Sequence, residues 1–251
     1  MHRYFEINEG GLNIRCKLYC RREESIRRVV IFGHGFGGHK DNGAAEKFAL
    51  RMTDRYEDTA LVTFNWPAHG DDESKNLALD ACMDYLALVT EYARLRLGAE
   101  ELYSYATSFG GYLTLKYIHE RGNPFRRIAL RCPAVNMYHV LTDTIMSSEE
   151  LALVKGGKTV PVGFDRKIAA DLSLLEELLR HDIQALDFTD LAEQILIIHG
   201  TADEVVPFAA ARAFAESNNI RFVPSEGADH RFQAADRMEQ AISLILDFYA
   251  F

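Results

Sequence analysis

The sequence predicts an α/β protein: a mostly parallel sheet with helices on both faces, led by an antiparallel hairpin. Three observations carry that expectation. Short apolar runs, two of them ending in glycine, alternate with stretches of helical period. The runs "RRVVIFGHG", "TALVTFNW" and "QILIIHG" are apolar at successive positions, as strands covered on both faces are. The 251 residues, 48% of them hydrophobic, suffice for one domain with a full core.

Each element has its own signal. "YFEI" and "NIRCKLYC" flank Asn8-Glu9-Gly10-Gly11, a turn-rich link that predicts a hairpin. "RRVVIFGHG" is the first buried parallel strand, and "NGAAEKFALRMTDRY" the helix after it. "TALVTFNW" is the next strand, stopped by Pro67. Over 76–97, apolar residues at 79, 82, 83, 86, 89 and 93 form a helical stripe. The strand "ELYSYAT" runs into the helix "SFGGYLTLKYIHER", which Gly122 and Pro124 end. "RIALRCPA" is a further strand.

The alternation then breaks. Residues 135–194 hold no long buried strand; a small hairpin in "LVKGGKTVPV", turning at Gly156-Gly157, and a helical stretch "RKIAADLSLLEELLRHDIQAL" are expected there. The rhythm resumes with the strand "QILIIHG", the helix "FAAARAFAES", the strand "IRFVPSE" and a terminal helix. Residues 1–134 and 195–251 therefore read as the core, and 135–194 as a cap inserted into one connection.

Composition excludes some functions. A net charge of -9 and a pI near 5.5 argue against a nucleic-acid or anionic-membrane partner. No apolar run approaches the ~18 residues of a membrane span, and "MHRYFEINEGG" lacks the apolar run of a signal segment. Cys16 and Cys20 share a strand face too far apart to bridge, and no Cys/His pair has zinc spacing. A reduced, cytoplasmic protein is the expectation. The sequence leaves a homodimer open.

In a parallel sheet, functional residues gather beyond the carboxyl ends of the strands. The loops there read "GHGFGGHKD" at 33–41, "WPAHGDD" at 66–72, "ATSFGG" at 106–111, "HGTADEVVP" at 199–207 and "GADHRF" at 227–232. A serine, acids and histidines on separate loops of one edge are the raw material of a nucleophile–base–acid triad. Each also has a plainer reading: Ser108 as a helix N-cap, His230 as a surface histidine.

The residues resemble the α/β-hydrolases over nearly the whole chain. Ala106-Thr107-Ser108-Phe109-Gly110 is similar to their nucleophile elbow G-x-S-x-G, with Ala106 in place of the first glycine. The family order of Ser, then Asp/Glu, then His is met by Ser108, Asp203 and His230. "GTADEVVP" resembles the acid loop whose carboxylate lies four residues before the proline, which selects Asp203 over Glu204. His34-Gly35-Phe36-Gly37-Gly38 resembles the oxyanion-hole loop, so the resemblance implies the backbone N–H groups of Phe36 and Phe109 as donors to the oxyanion.

The resemblance further implies an ester-cleaving serine hydrolase with a small-molecule substrate and no metal or organic cofactor. "HGFGGHKD", the short cap and "IIHGTADEVVP" look most like the cinnamoyl (feruloyl) esterase branch. Monoacylglycerol-lipase-like, thioesterase-like and serine-aminopeptidase-like relatives share these features. A non-catalytic binding protein of this fold is the remaining alternative, although no triad member is missing. His34 and His199 are expected to order loop backbones and His69 to be structural. These histidines with Asp71, Asp72 or Asp203 form no recognised metal-ligand set.

Overall fold

A computed structural model describes all residues from Met1 to Phe251. Strands β1 (His2–Glu9) and β2 (Leu12–Cys20) form the N-terminal hairpin. Then come β3 (Arg28–Gly33), α1 (Gly43–Arg55), β4 (Thr59–Phe64), α2 (Leu79–Leu95), β5 (Glu101–Thr107), α3 (Phe109–Arg121) and β6 (Arg127–Arg131). Between β6 and the next long strand lie α4 (Met137–His139), which continues as a turn of π-helix to Ile145, then α5 (Ser148–Lys155), β7 (Val160–Val162), β8 (Ile168–Ala170) and α6 (Leu172–Arg180). The chain closes with β9 (Ile195–Gly200), α7 (Phe208–Ser217), β10 (Arg221–Ser225) and α8 (Ala235–Tyr249).

The eight long strands make one sheet in the order β1-β2-β4-β3-β5-β6-β9-β10. β2 runs antiparallel to its neighbours β1 and β4, and every later pairing is parallel. All six residues of β4 are buried, because helices cover both faces. On one face Phe48 and Met52 of α1 and Ile242 and Ile245 of α8 pack with Tyr105 and Phe32. On the other, Cys82 and Leu86 of α2 and Leu113 and Ile118 of α3 pack with Ile31, Val62 and Ile128. Removing this apolar surface from water, at ~25 cal/mol per Å2, is what makes the layered arrangement stable.

Two expectations for 135–194 need correcting. The hairpin does not turn at Gly156-Gly157. That pair ends α5, which opens on a reciprocal cap: Glu150 N–H donates to the Ser147 hydroxyl (3.1 Å) and Ser147 N–H to the Glu150 carboxylate (2.8 Å). At its far end Gly157 takes φ +84°, and Lys158 N–H reaches back to Leu153 O (3.0 Å), the left-handed stop that glycine favours. The hairpin lies further on, pairing Val162 with Ile168. The helix expected from Arg166 is also shorter. Ile168–Ala170 is strand, and Asp171 starts α6 by accepting from Leu174 N–H (2.9 Å).

Parallel pairing decides where the loops converge. The carboxyl ends of β3, β5, β6, β9 and β10 share one edge of the sheet. All five loops singled out in the sequence leave from that edge or from β4 beside it.

Candidate active site

Ser108 joins β5 to α3 with φ +53° and ψ −119°, a backbone conformation that a residue with a Cβ adopts only under constraint. Backbone bonds hold it there. Ser108 N–H donates to Arg131 O (3.1 Å), while its carbonyl accepts from Gly111 (2.9 Å) and Ala134 (3.1 Å). The turn needs small neighbours: a methyl group on Gly110 would run into the carbonyl of Gly33, and Ala106 is fully buried. The Ser108 side chain does not cap α3, which removes the N-cap reading.

The loop after β3 lies against this turn. A Cβ on Gly35 would sit 3.1 Å from Ser108 Cβ, and Gly38 N–H closes a turn onto Gly35 O (2.9 Å). His34 is fully buried within it. Its Nδ1 bonds Gly35 O (2.8 Å), and Nε2 accepts from Trp66 N–H (3.3 Å). Burial and the neighbouring His69 hold its proton affinity well below the ordinary value, so the ring is neutral and orders backbone as expected. Phe36 and Phe109 meet edge to face, ring centres 5.8 Å apart, and both pack on His69. Phe109 is the first residue of α3, where helix amides have no internal partner.

Asp203 and His230 come together from the loops after β9 and β10. His230 Nδ1 lies 2.8 Å from Asp203 Oδ2. The other carboxylate oxygen accepts from Val205 N–H (2.9 Å) and Val206 N–H (2.8 Å). The two loops are tied to each other by Ala202 N–H to Ala228 O (3.1 Å) and Gly227 N–H to the Thr201 hydroxyl (2.8 Å). Burial alone would raise the proton affinity of Asp203. The hydrogen bonds from His199 and His230 and from the Val206 amide outweigh it and leave the carboxyl far below its usual range, hence ionised. Glu204 is exposed, and its carboxylate accepts one hydrogen bond, from His230 N–H at 3.5 Å. No hydrogen bond joins the Ser108 hydroxyl to the His230 ring, whose Nδ1 side is occupied by Asp203.

One further contact of His199, and one neighbour, Cys132, escaped the sequence reading. His199 does bond backbone, at Val206 O (3.1 Å), but its Nε2 also lies 3.2 Å from Asp203 Oδ2. Cys132 follows β6 with φ +47°, and its sulfur lies within 4.8 Å of a carboxylate oxygen of Asp203 and a ring nitrogen of His230. The available signal was its position at a strand end on the same edge. Spacing along the chain does not reveal it, because its neighbours are about 70 and 100 residues away.

Comparison with known proteins agrees with this architecture. A family described as the alpha/beta hydrolase fold matches residues 28–213, well over half the chain. No curated protein matches by sequence. Among solved structures the chain is similar to Est1E from Butyrivibrio proteoclasticus with ferulic acid bound (17% identity, TM-score 0.71, 98% of this chain and 100% of that one). It is also similar to a monoacylglycerol lipase from Paleococcus ferrophilus (18%, TM-score 0.68, 98% of each). A third is mouse alpha/beta hydrolase domain-containing protein 10 (15%, TM-score 0.69, 99% and 98%). At such identities these likenesses speak for the fold alone, and with the family match they lead to one conclusion: the chain belongs to the α/β-hydrolase fold family.

Proposed function

We propose that this protein is a serine hydrolase that cleaves carboxylic esters through an acyl-enzyme, with Ser108 as nucleophile, His230 as general base and Asp203 as the orienting acid. The observation that carries the reading is the His230–Asp203 hydrogen bond of 2.8 Å, made by an ionised, buried carboxylate on the sheet edge where Ser108 stands in its strained turn.

The chemistry rests on this placement. A serine hydroxyl is a weak nucleophile at neutral pH. As Ser108 Oγ bonds to the ester carbonyl carbon, its proton passes to His230 Nε2, and Asp203 stabilises the imidazolium formed. The carbonyl π electrons move to oxygen. The N–H groups of Phe36 and Phe109 receive that oxyanion, the latter at a helix N-terminus where the dipole favours negative charge. Return of the proton to the leaving alkoxide releases the alcohol and leaves the acyl-enzyme. Water, activated by the same histidine, then hydrolyses it. The Ser108–His230 hydrogen bond that transfer requires would form as substrate binds, since catalytic hydrogen bonds are commonly long or absent without it.

For the substrate we propose small or aromatic acyl esters of the hydroxycinnamoyl kind. The segment 135–194 acts as a compact cap over the strand ends, and its apolar residues Tyr138, Ile145 and Val160 are only partly covered. The ferulic acid held by the similarly folded Est1E supports this class. The test of the triad is labelling. A fluorophosphonate should react at Ser108, and Ser108→Ala should abolish labelling and ester turnover with little change in Tm. Modification at Ser104, which is buried inside β5, would overturn the assignment.

A further inference from the structure

Cys132, Asp203 and His230 offer three different donor atoms, a thiol sulfur, a carboxylate oxygen and a ring nitrogen, all within 4.8 Å of one another. It is the one group of three such side chains in the chain to lie so close. Zinc takes nitrogen, sulfur and oxygen ligands at about 2.0–2.3 Å, so tetrahedral ligands sit roughly 3.5 Å from each other. The three donors need only close on an ion from the sulfur side while the His230–Asp203 pair opens slightly from 2.8 Å. Cys132 is held for this by its backbone: φ is +47°, and its N–H donates to Ile198 O (2.9 Å) at the root of the acid loop. The site is nearly closed to water. Cys132 is buried, the Asp203 side chain is inaccessible, and the His230 side chain is 13% exposed.

We propose that Cys132, Asp203 and His230 form a binding site for a soft divalent cation of the zinc class, and that the bound ion switches the hydrolase off. This rests on the reading of His230 as the base. The thiol gives its proton to solvent and binds as thiolate. The ion takes the place of the proton between His230 Nδ1 and Asp203 Oδ2. The neutral ring then carries its one proton on Nε2, the nitrogen that must accept the Ser108 proton, so the lone pair needed for catalysis is gone. A water molecule completes the four ligands.

Cadmium and cobalt(II) report a thiolate ligand by a charge-transfer absorption band, which does not depend on turnover. The experiment titrates metal-stripped protein with each ion, competes it with zinc, and follows fluorophosphonate labelling and ester hydrolysis in the same samples. One ion per chain should give the band, and saturation should slow labelling and turnover together. Cys132→Ser, compared with its own metal-free rate, should lose the band and need about tenfold more zinc or beyond for half-inhibition. Cys132→Ala serves if the serine variant does not fold. The remaining cysteines, Cys16, Cys20 and Cys82, are buried and belong to no such group, so they should give no band. Absence of the band, or equal zinc inhibition in wild type and Cys132→Ser, overturns the site. Labelling and turnover without a band leave the ester-hydrolase reading standing and sink the cation site. A band lost in Cys132→Ser, in a chain that neither labels nor turns over esters, supports the cation site and sinks the reading of Ser108.

Discussion

His199 Nε2 lies 3.2 Å from Asp203 Oδ2, the same carboxylate oxygen that His230 Nδ1 meets at 2.8 Å. With two amides on Oδ1, the carboxylate is gripped on every side by groups that favour its ionised form. His199→Phe keeps a buried ring but deletes one grip. It should lower kcat for ester hydrolysis by roughly tenfold, about 1.4 kcal/mol, with KM little changed. A variant that turns over like wild type would show that His199 only packs.

The choice between neighbouring acids is equally open to measurement. Asp203→Asn should cost several orders of magnitude in kcat, since the ring loses its orienting anion. Glu204→Gln should cost less than about tenfold, because Glu204 is exposed and reaches only a backbone amide at 3.5 Å. The reverse ranking would transfer the role to Glu204.

Stability should fall on the acid side for a reason traceable to one ring. Burial pushes His69 from 6.5 down to about 4, and its Nδ1 bonds Pro67 O (2.8 Å). Between those values the unfolded chain binds the proton and the folded one does not, so stability rises with pH across the interval and is lost as pH falls. The full interval corresponds to roughly 3 kcal/mol. His34 adds to the same slope, its affinity also lowered by burial. Urea midpoints measured from pH 7 to pH 4 should drop steeply in wild type and less steeply in His69→Gln. Below the ordinary carboxylate value of 3.8, Asp203 adds a further loss as its depressed affinity is approached. Parallel curves for the two proteins would refute the assignment to His69.

Acyl preference tests the proposed cap. Butyryl and hydroxycinnamoyl esters should be turned over faster than palmitoyl esters. Shortening the connection between β7 and β8 should reorder that ranking more than it changes fluorophosphonate labelling. Equal rates on butyryl and palmitoyl esters would favour a lipase-like activity instead.

Much of the fold was legible in the sequence because the signals are local. A run such as "TALVTFNW" before Pro67 can hardly be anything but a buried strand, and β4 is buried at every position. The tight turn at Ser108 was legible too, since Ala106, Ser108 and Gly110 answer to one steric demand. The hairpin at Gly156-Gly157 misled because a glycine pair serves a helix end as well as a strand turn. The deciding residues, Ser147 and Glu150, lie a full helix earlier. Strands of three residues such as β7 and β8 carry too little pattern to separate from helix. The closeness of His199 and Cys132 to Asp203 depends on how loops meet in space, which no periodicity encodes.

Six residues other than glycine have positive φ, and four of them, Ala68, Ser108, Cys132 and Phe232, stand in the loops around the candidate site. Such conformations each cost of order 1–3 kcal/mol, comparable with a large part of a domain's net stability. Evolution toward mere robustness would relax them, with glycine at position 108 as the simplest step. Glycine there would also remove the hydroxyl, so substitutions that raise stability and spare the proposed nucleophile should lie far from this edge.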